Sequence, residues 1–374
     1  MKKSDTSTQT DIGISPDPIF QMTTGYWVSK TLMSAVELEV FTKLSGSQSV
    51  TLEQLQNNIL EMDTRPAEVF VTALISLGLL NVITIDGNVT KKENRYSNSQ
   101  MSEVFLDKNK PTYIGDFVTM LDTQLYYRWG KLTQALKTNK PVKDNSDSSN
   151  DTVSTNLSAA NILEQAKKNQ PVEQIQTFTR AMYGVSVIPA MELGKVFDFS
   201  NYKKMMDIGG GSGIYSIEVV KASPNMSAIM LDLGPVCEVA DEYVKQFNLQ
   251  DRIQTQVLDF LKEDLPKDCD VVLLSHIVHF LSMENDKMLL RKIYDSLPDE
   301  NGVILISEWL LNDEKTGPIP PALTGLAMIV DMPEGRNYSY AEVSEMLTDV
   351  GFTNIEKRPL AGPAEVVIGY KHMK

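Results

Sequence analysis

Apolar residues recur at helical spacing over the first half of the chain and in short unbroken runs over the second, and that change of period divides it. From Pro18 to Leu44 the positions Ile19, Met22, Trp27, Leu32, Ala35, Leu38, Phe41 and Leu44 step by about a helical turn, which predicts helices. Thr51-Leu-Glu-Gln54 has the form of a capping box opening a short helix. Asp63 or Thr64 then caps a longer helix from Pro66 to Leu77, with Gly78 placed to close it. Leu79 to Ile85 and Asn88 to Tyr96, joined by Asp86-Gly87, read as a hairpin. Helix, helix, hairpin is the order of a winged helix. Residues 100 to 140 return to helical spacing, with Tyr113, Phe117, Met120, Leu121, Leu125, Trp129, Leu132 and Leu136 along one side. A polar, low-complexity insertion near 138–170 follows, and then a helical stretch from Val172 to Val196 carrying Phe178, Met182, Tyr183, Val187 and Met191.

From Asn201 the pattern alternates strand and helix. Lys204 to Ile208, Ala228 to Asp232, Ile253 to Val257, Cys269 to Ser275 and Val303 to Ser307 are apolar runs of strand length. Helices fall between them, from Ile214 to Ala222 and from Met283 to Leu297, the second capped by Ser282. The Cys269 run is continuously apolar, which places it at the centre of a parallel sheet. Ser339-Tyr-Ala-Glu342 is a second capping box, opening a helix that Gly351 closes. Asn354 to Arg358 and Glu365 to Tyr370 complete the sheet as an antiparallel end. The fold class is therefore α/β, a doubly wound, mostly parallel sheet preceded by a mainly helical winged-helix domain. The expected boundaries are 1–108 for the amino-terminal domain, 109–200 for a helical linker that lines a substrate pocket, and 201–374 for the doubly wound domain.

Charge narrows the partners. Lys and Arg total 35 against 49 Asp and Glu, a net charge of −14. Such a surface repels phosphate backbones and anionic membranes. The helix from Pro66 to Leu77 carries Arg65 at its start and little other polarity, too little for duplex contacts, and reads as a helix built to be buried. Dimerisation is the better reading of the winged helix, with no nucleic acid and no membrane partner. Only two cysteines occur, Cys237 and Cys269, so no disulfide framework is implied, no stretch has the length of a membrane span, and the reading is a cytoplasmic protein.

The chemistry concentrates at the strand ends. Met205-Met206-Asp207-Ile208-Gly209-Gly210-Gly211-Ser212-Gly213 is a strand that runs into a carboxylate and a loop of small residues. Glycines there let backbone pass close to a ligand. A dinucleotide site is the rival reading, but Ile214 stands where its third glycine belongs. A carboxylate at the strand end suits a cationic ligand with an amino-acid moiety, so S-adenosylmethionine is the expected cofactor. Asp207, Gly209, Gly211 and Gly213 form its loop, Asp232 with Leu233 meets the ribose hydroxyls, and Asp259 with Phe260 meets the adenine. His279, just past the central strand, is the candidate base for a hydroxyl acceptor, and Glu308 at the adjacent strand end would hold its second nitrogen. His276 is the other candidate base, and no metal is called for. Trp129, Phe178, Met182, Met328 and Asn337 are the candidate lining of a partly apolar substrate pocket, since Met suits adaptable cavities.

From about Phe20 the chain resembles the two-domain S-adenosylmethionine-dependent small-molecule O-methyltransferases, the group of the plant caffeate and flavonoid enzymes and of bacterial antibiotic, phenazine and carotenoid enzymes. The resemblance lies in Val36-Glu-Leu-Glu-Val-Phe-Thr-Lys-Leu, Ala73-Leu-Ile-Ser-Leu-Gly-Leu-Leu, Asp207-Ile-Gly-Gly-Gly-Ser-Gly, Leu231-Asp-Leu-Gly-Pro, Leu258-Asp-Phe, His279 with Ser282 and Glu284, and Ile306-Ser-Glu-Trp. It implies a seven-stranded Rossmann-like methyltransferase domain and a homodimer built on the winged helix. It also implies His279 as base beside Glu308, and cofactor contacts at Gly209, Asp232, Asp259 and Phe260. The chain departs from the family at three positions. Phe280 replaces the acid that usually follows the base, Asn337 falls where a second glutamate usually flanks it, with Glu334 nearby, and Ser275 stands where the plant enzymes have a cofactor-contacting lysine. Oxygen is the expected acceptor atom, with nitrogen, sulfur or chemistry other than methyl transfer as alternatives and a winged-helix regulator as the remote one.

Overall fold

The computed structural model describes residues 15–46, 49–86, 92–142 and 172–371. The Asp86-Gly87 turn beyond Asp86, and the expected insertion from residue 143 onward, lie outside them. The chain forms two compact units, Met1–Lys110 and Pro111–Lys374.

The amino-terminal unit holds helices α1 (Asp17–Thr23), α2 (Gly25–Glu37), α3 (Val40–Leu44), α4 (Leu52–Leu55), α5 (Thr64–Ser76) and α6 (Gln100–Phe105). Its small antiparallel sheet runs in the order β1 (Val50–Thr51), β3 (Lys92–Asn98), β2 (Leu80–Asp86). This is the winged helix that the element order predicts. The Thr51 capping box forms, with Thr51 and Gln54 each satisfying the other's backbone N–H. Of the expectations for α5, the cap holds in position and the burial needs correcting. Asp63 takes the cap position of α5 without a side-chain cap bond, and Thr64 is already helical. Nor is α5 buried all round: it buries Ala67, Val71 and Leu74 and leaves Glu68, Val69 and Thr72 exposed, as an amphipathic helix on one core does.

The uniform helical run expected over 100–140 is also broken. After α6 the Asp107 carboxylate accepts from the Asn109 backbone N–H, a local turn that competes with helix, and Pro111 follows. Helix resumes as α7 (Gly115–Met120), passes through a wider π turn at Leu121–Leu125 into α8 (Tyr126–Trp129), and ends with α9 (Leu132–Thr138). The long helix α10 spans Val172–Val196.

The doubly wound part contains β4 (Lys204–Ile208), α11 (Ile214–Ala222), β5 (Ser227–Asp232), α12 (Gly234–Gln246), β6 (Ile253–Val257), β7 (Val271–Ser275), α13 (Met283–Ser296), β8 (Gly302–Trp309), α14 (Ile319–Asp331), α15 (Tyr340–Val350), β9 (Thr353–Pro359) and β10 (Ala364–Lys371). The sheet order is β6-β5-β4-β7-β8-β10-β9, with β10 antiparallel to both neighbours and the first five strands parallel. Successive residues of the central strands point to opposite faces, and both faces are covered. Met205, Leu273 and Leu305 pack with Val187 and Leu193 of α10, whereas Met206, Leu274 and Ile306 pack with Leu289 and Ile293 of α13 and Leu347 of α15. That is why these runs carry no polar alternation. Cys237 and Cys269 are both buried and free. Among the described residues no helix is long and apolar enough to cross a membrane.

Candidate active site

The strand order reverses between β4 and β7, and the crevice beyond their carboxyl ends is where open α/β sheets bind ligands. The glycine loop lies there. Gly209, Gly211 and Gly213 all have positive φ, so the loop turns at alternate residues in a conformation that a side chain resists. A Cβ on Gly209 would stand 2.3 Å from Ile277 Cδ1, so this glycine makes room for protein. Gly211 differs: a Cβ there would meet nothing within 4 Å, and its N–H donates to Asp232 Oδ2 at 3.0 Å. The other oxygen of Asp232 accepts from the Leu233 N–H at 2.8 Å. A carboxylate held by two backbone donors keeps lone pairs for a pair of ligand hydroxyls.

Asp207 is buried, with Oδ2 accepting from Ser216 Oγ at 2.7 Å and Oδ1 without a partner among the described residues. Burial pushes Asp207 up to about 7 and Asp232 up to about 6, so a positively charged ligand would be welcome in this crevice. Phe260 is buried and lies 3.8 Å from the Cβ position of Gly209. Asp259 precedes it, paired with Lys262 at 3.5 Å. An open backbone turn, a ribose-suited carboxylate and buried acids near a ring together fit S-adenosylmethionine.

Beyond β7 the chain makes a sharp turn. Ser275 closes the strand. His276 then adopts φ +56°, with its N–H donating to Ser307 O, and a short 3₁₀ turn over Val278–Phe280 carries His279. His276 and His279 therefore do not share a helical turn. His279 and Glu308 are buried, and His279 Nδ1–H donates to Glu308 Oε2 at 2.7 Å. His276 Nδ1 lies 3.6 Å from the same oxygen, too far for a hydrogen bond. Burial, opposed by Glu308 and reinforced by His279, pushes His276 down to about 4. For Glu308 burial acts upward, but the charge and hydrogen bond of His279, with help from His276, outweigh it and hold the carboxyl below its ordinary range. An ionised Glu308 fixes the His279 tautomer, leaving Nε2 with the free lone pair.

The segment after α14 braces the base. Arg336 N–H donates to the His279 carbonyl at 3.0 Å, and Gly335 sits so close that a Cβ would come within 2.7 Å of that oxygen. Asn337 is buried: Nδ2 donates to the Trp309 carbonyl at 3.0 Å, and Oδ1 has no partner among the described residues. Glu334 lies beside Phe280 and Ser282 around a small recess. Of the pocket candidates, Met328 is buried on α14 and Met182 is half-buried on α10. Trp129 ends α8, which Arg128 ties to Asp331 of α14 through a buried ion pair at 2.9 Å. Phe178 packs with Ile175, Val236 and Leu233, at the β5 end of the crevice where Asp232 lies.

Sequence reasoning passed over Asp286. It is buried on α13 and accepts from Tyr338 Oη at 2.9 Å, and burial pushes it up to about 8. The signal was readable: Asp286, Leu289, Leu290 and Ile293 share the buried stripe of α13, so an acid occupied an apolar position.

Comparison with known proteins agrees with this geometry. Residues 143–353 match the O-methyltransferase domain and residues 20–108 the O-methyltransferase dimerisation domain. The chain is 31% identical over 358 residues to a 3-hydroxy-5-methyl-1-naphthoate 3-O-methyltransferase of Streptomyces sahachiroi, covering 95% of each chain. It is 28% identical to the tetracenomycin polyketide synthesis 8-O-methyl transferase TcmO of Streptomyces glaucescens, covering 95% of this chain and 97% of that one. In fold it is similar to human N-acetylserotonin methyltransferase in complex with S-adenosylmethionine, with a TM-score of 0.82 at 22% identity over 98% of this chain and 99% of that one. The chain belongs to the O-methyltransferase family. It is an S-adenosylmethionine-dependent methyltransferase, and its buried His279–Glu308 pair is placed to serve as the catalytic dyad.

Proposed function

We propose that this protein methylates a hydroxyl on a small, partly apolar aromatic metabolite, working in the cytoplasm as a homodimer. The observation that carries the reading is the 2.7 Å contact between His279 Nδ1 and Glu308. With Nδ1–H committed to the carboxylate, Nε2 accepts the proton of the acceptor hydroxyl, and Glu308 stabilises the imidazolium that forms. S-adenosylmethionine, when bound, supplies a methyl group on a sulfonium, electrophilic toward the oxygen from which His279 draws the proton. Asp232 and Leu233 would hold its ribose, Asp259 and Phe260 its adenine, and Asp207 with Gly209, Gly211 and Gly213 its amino-acid end; Ser275 borders the same crevice.

An aromatic acceptor is supported by two relatives whose names specify a hydroxynaphthoate and a tetracenomycin polyketide, and by the apolar candidates Trp129, Phe178, Met182 and Met328. Asn337 adds a polar contact to that lining. The homodimer is supported by the dimerisation-domain match and by apolar side chains exposed on α1 and the start of α2, namely Ile19, Phe20, Met22, Tyr26 and Trp27. The net charge of −14, and a single cation on the exposed face of α5, argue against nucleic acid as a partner. The test is turnover of a panel of hydroxynaphthoates and other phenols with S-adenosylmethionine, followed by mass spectrometry. Methylation of a phenol by wild type that His279→Ala lacks supports the assignment. Consumption of the cofactor with no methylated phenol would sink it.

A further inference from the structure

His276 takes no part in the dyad, yet the chain holds it in a left-handed conformation beside Glu308. A residue with a Cβ resists that region, and such strain persists where the surroundings impose it. Its Nε2 is buried without a hydrogen-bond partner among the described residues, and so is Glu308 Oε1. One ligand atom each from His276, His279 and Glu308 falls within 4.8 Å of the others. The closest pairs are His279 Nδ1 and His276 Nδ1 to Glu308 Oε2, at 2.7 and 3.6 Å. Metal–ligand bonds of about 2.0–2.2 Å in a tetrahedron place donors about 3.3 Å apart, inside the range these atoms span. Two imidazoles and a carboxylate suit a borderline divalent ion, and the His276 side chain, 20% exposed, leaves a way in and a place for a solvent ligand.

We infer that His276, His279 and Glu308 form an inhibitory site for a zinc-like divalent ion. The inference rests on His279 Nε2 being the base. In the active arrangement Nδ1 carries the proton and Nε2 the lone pair. A metal on Nδ1 takes the lone pair of that nitrogen, so the single proton of the neutral ring moves through solvent to Nε2, with no net gain or loss of protons. Nε2–H is then a donor, and the acceptor hydroxyl has no base. Metal also displaces Glu308 from its hydrogen bond with His279. Turnover is blocked while the cofactor crevice, built from other residues, stays intact.

The experiment uses tag-free, metal-stripped protein titrated calorimetrically with zinc chloride, with and without S-adenosylhomocysteine, beside turnover assays with added zinc and then EDTA. His276→Asn is the discriminating variant, because asparagine tolerates the left-handed backbone and lacks the imidazole. The expected result is one zinc per chain in wild type, inhibition reversed by EDTA, and affinity weakened about tenfold or more in His276→Asn. Added zinc should leave that variant's own metal-free rate unchanged, where it inhibits wild type. Visible absorption bands of a four-coordinate site on adding cobalt(II) to wild type supply a readout that needs no variant. Absence of stoichiometric zinc and cobalt binding, or equal zinc affinity and inhibition in His276→Asn, overturns the proposal. Failure of the base reading would show separately, as undiminished turnover by His279→Ala.

Discussion

At the scale of single residues, the dyad and the acids of the crevice answer different assays. His279→Ala should cut turnover about 10²–10⁴-fold while leaving S-adenosylhomocysteine affinity nearly unchanged, read by steady-state kinetics beside calorimetry. Undiminished turnover would remove His279 from the mechanism. The raised acids make a pH prediction. Asp232 at about 6 and Asp207 at about 7 are largely protonated in mildly acidic solution, and the bound cofactor favours their ionised forms. S-adenosylmethionine affinity should therefore rise as pH passes from below 6 to above 7, and Asp232→Asn should flatten that rise and weaken binding by ~1.5–3 kcal/mol. Stability of the ligand-free protein runs the other way. An acid whose pKa is higher folded than unfolded contributes stability at low pH that is lost as pH rises through the folded value. Thermal shifts on cofactor binding should accordingly be larger at pH 8 than at pH 6, and equal shifts would contradict the assigned ionisation.

Secondary-structure elements were legible wherever local chemistry decided them. Lys204–Ile208, Ile214–Ala222 and Val172–Val196 follow from period and length alone, and the Thr51 and Ser339 capping boxes form with both reciprocal bonds. What stayed illegible depends on distant partners. The Arg128–Asp331 pair joins residues 203 apart, and Tyr338 meets Asp286 across 52. The left-handed turn at His276 has no glycine to announce it. The pairing of His279 with Glu308 was readable because adjacent parallel strands end side by side. The brace at Gly335 was not, and it carries a prediction. Gly335→Ala would force a Cβ against the His279 carbonyl, at a φ of +115° that an alanine resists. The kcat should fall by about tenfold or more, since small displacements of a catalytic group are costly, while cofactor affinity is kept. Wild-type kcat in that variant would show that the brace does not position the base. At the far end of the sheet, Lys371 Nζ donates to the Tyr294 and Leu297 carbonyls at 2.8 Å each, at the end of α13. Lys371→Met leaves those acceptors buried without that donor and should cost about 1–3 kcal/mol in denaturant unfolding.

For the whole molecule, the proposed homodimer is the testable quantity. Trp27 and Phe20 are 59% and 63% exposed in a single chain, beside Met22 at 78%. Trp27→Asp combined with Phe20→Asp should shift the protein from dimer to monomer in analytical ultracentrifugation, and an unchanged sedimentation coefficient would place the interface elsewhere. The burial of Cys237 and Cys269 reaches beyond packing. Burial pushes both thiols up to about 12, so at neutral pH neither offers a thiolate. Aromatic rings with two hydroxyls oxidise to quinones, and quinones capture thiolates. A quinone formed beside such an active site would meet neither cysteine of this chain as a thiolate, so its reaction with sulfur is closed here.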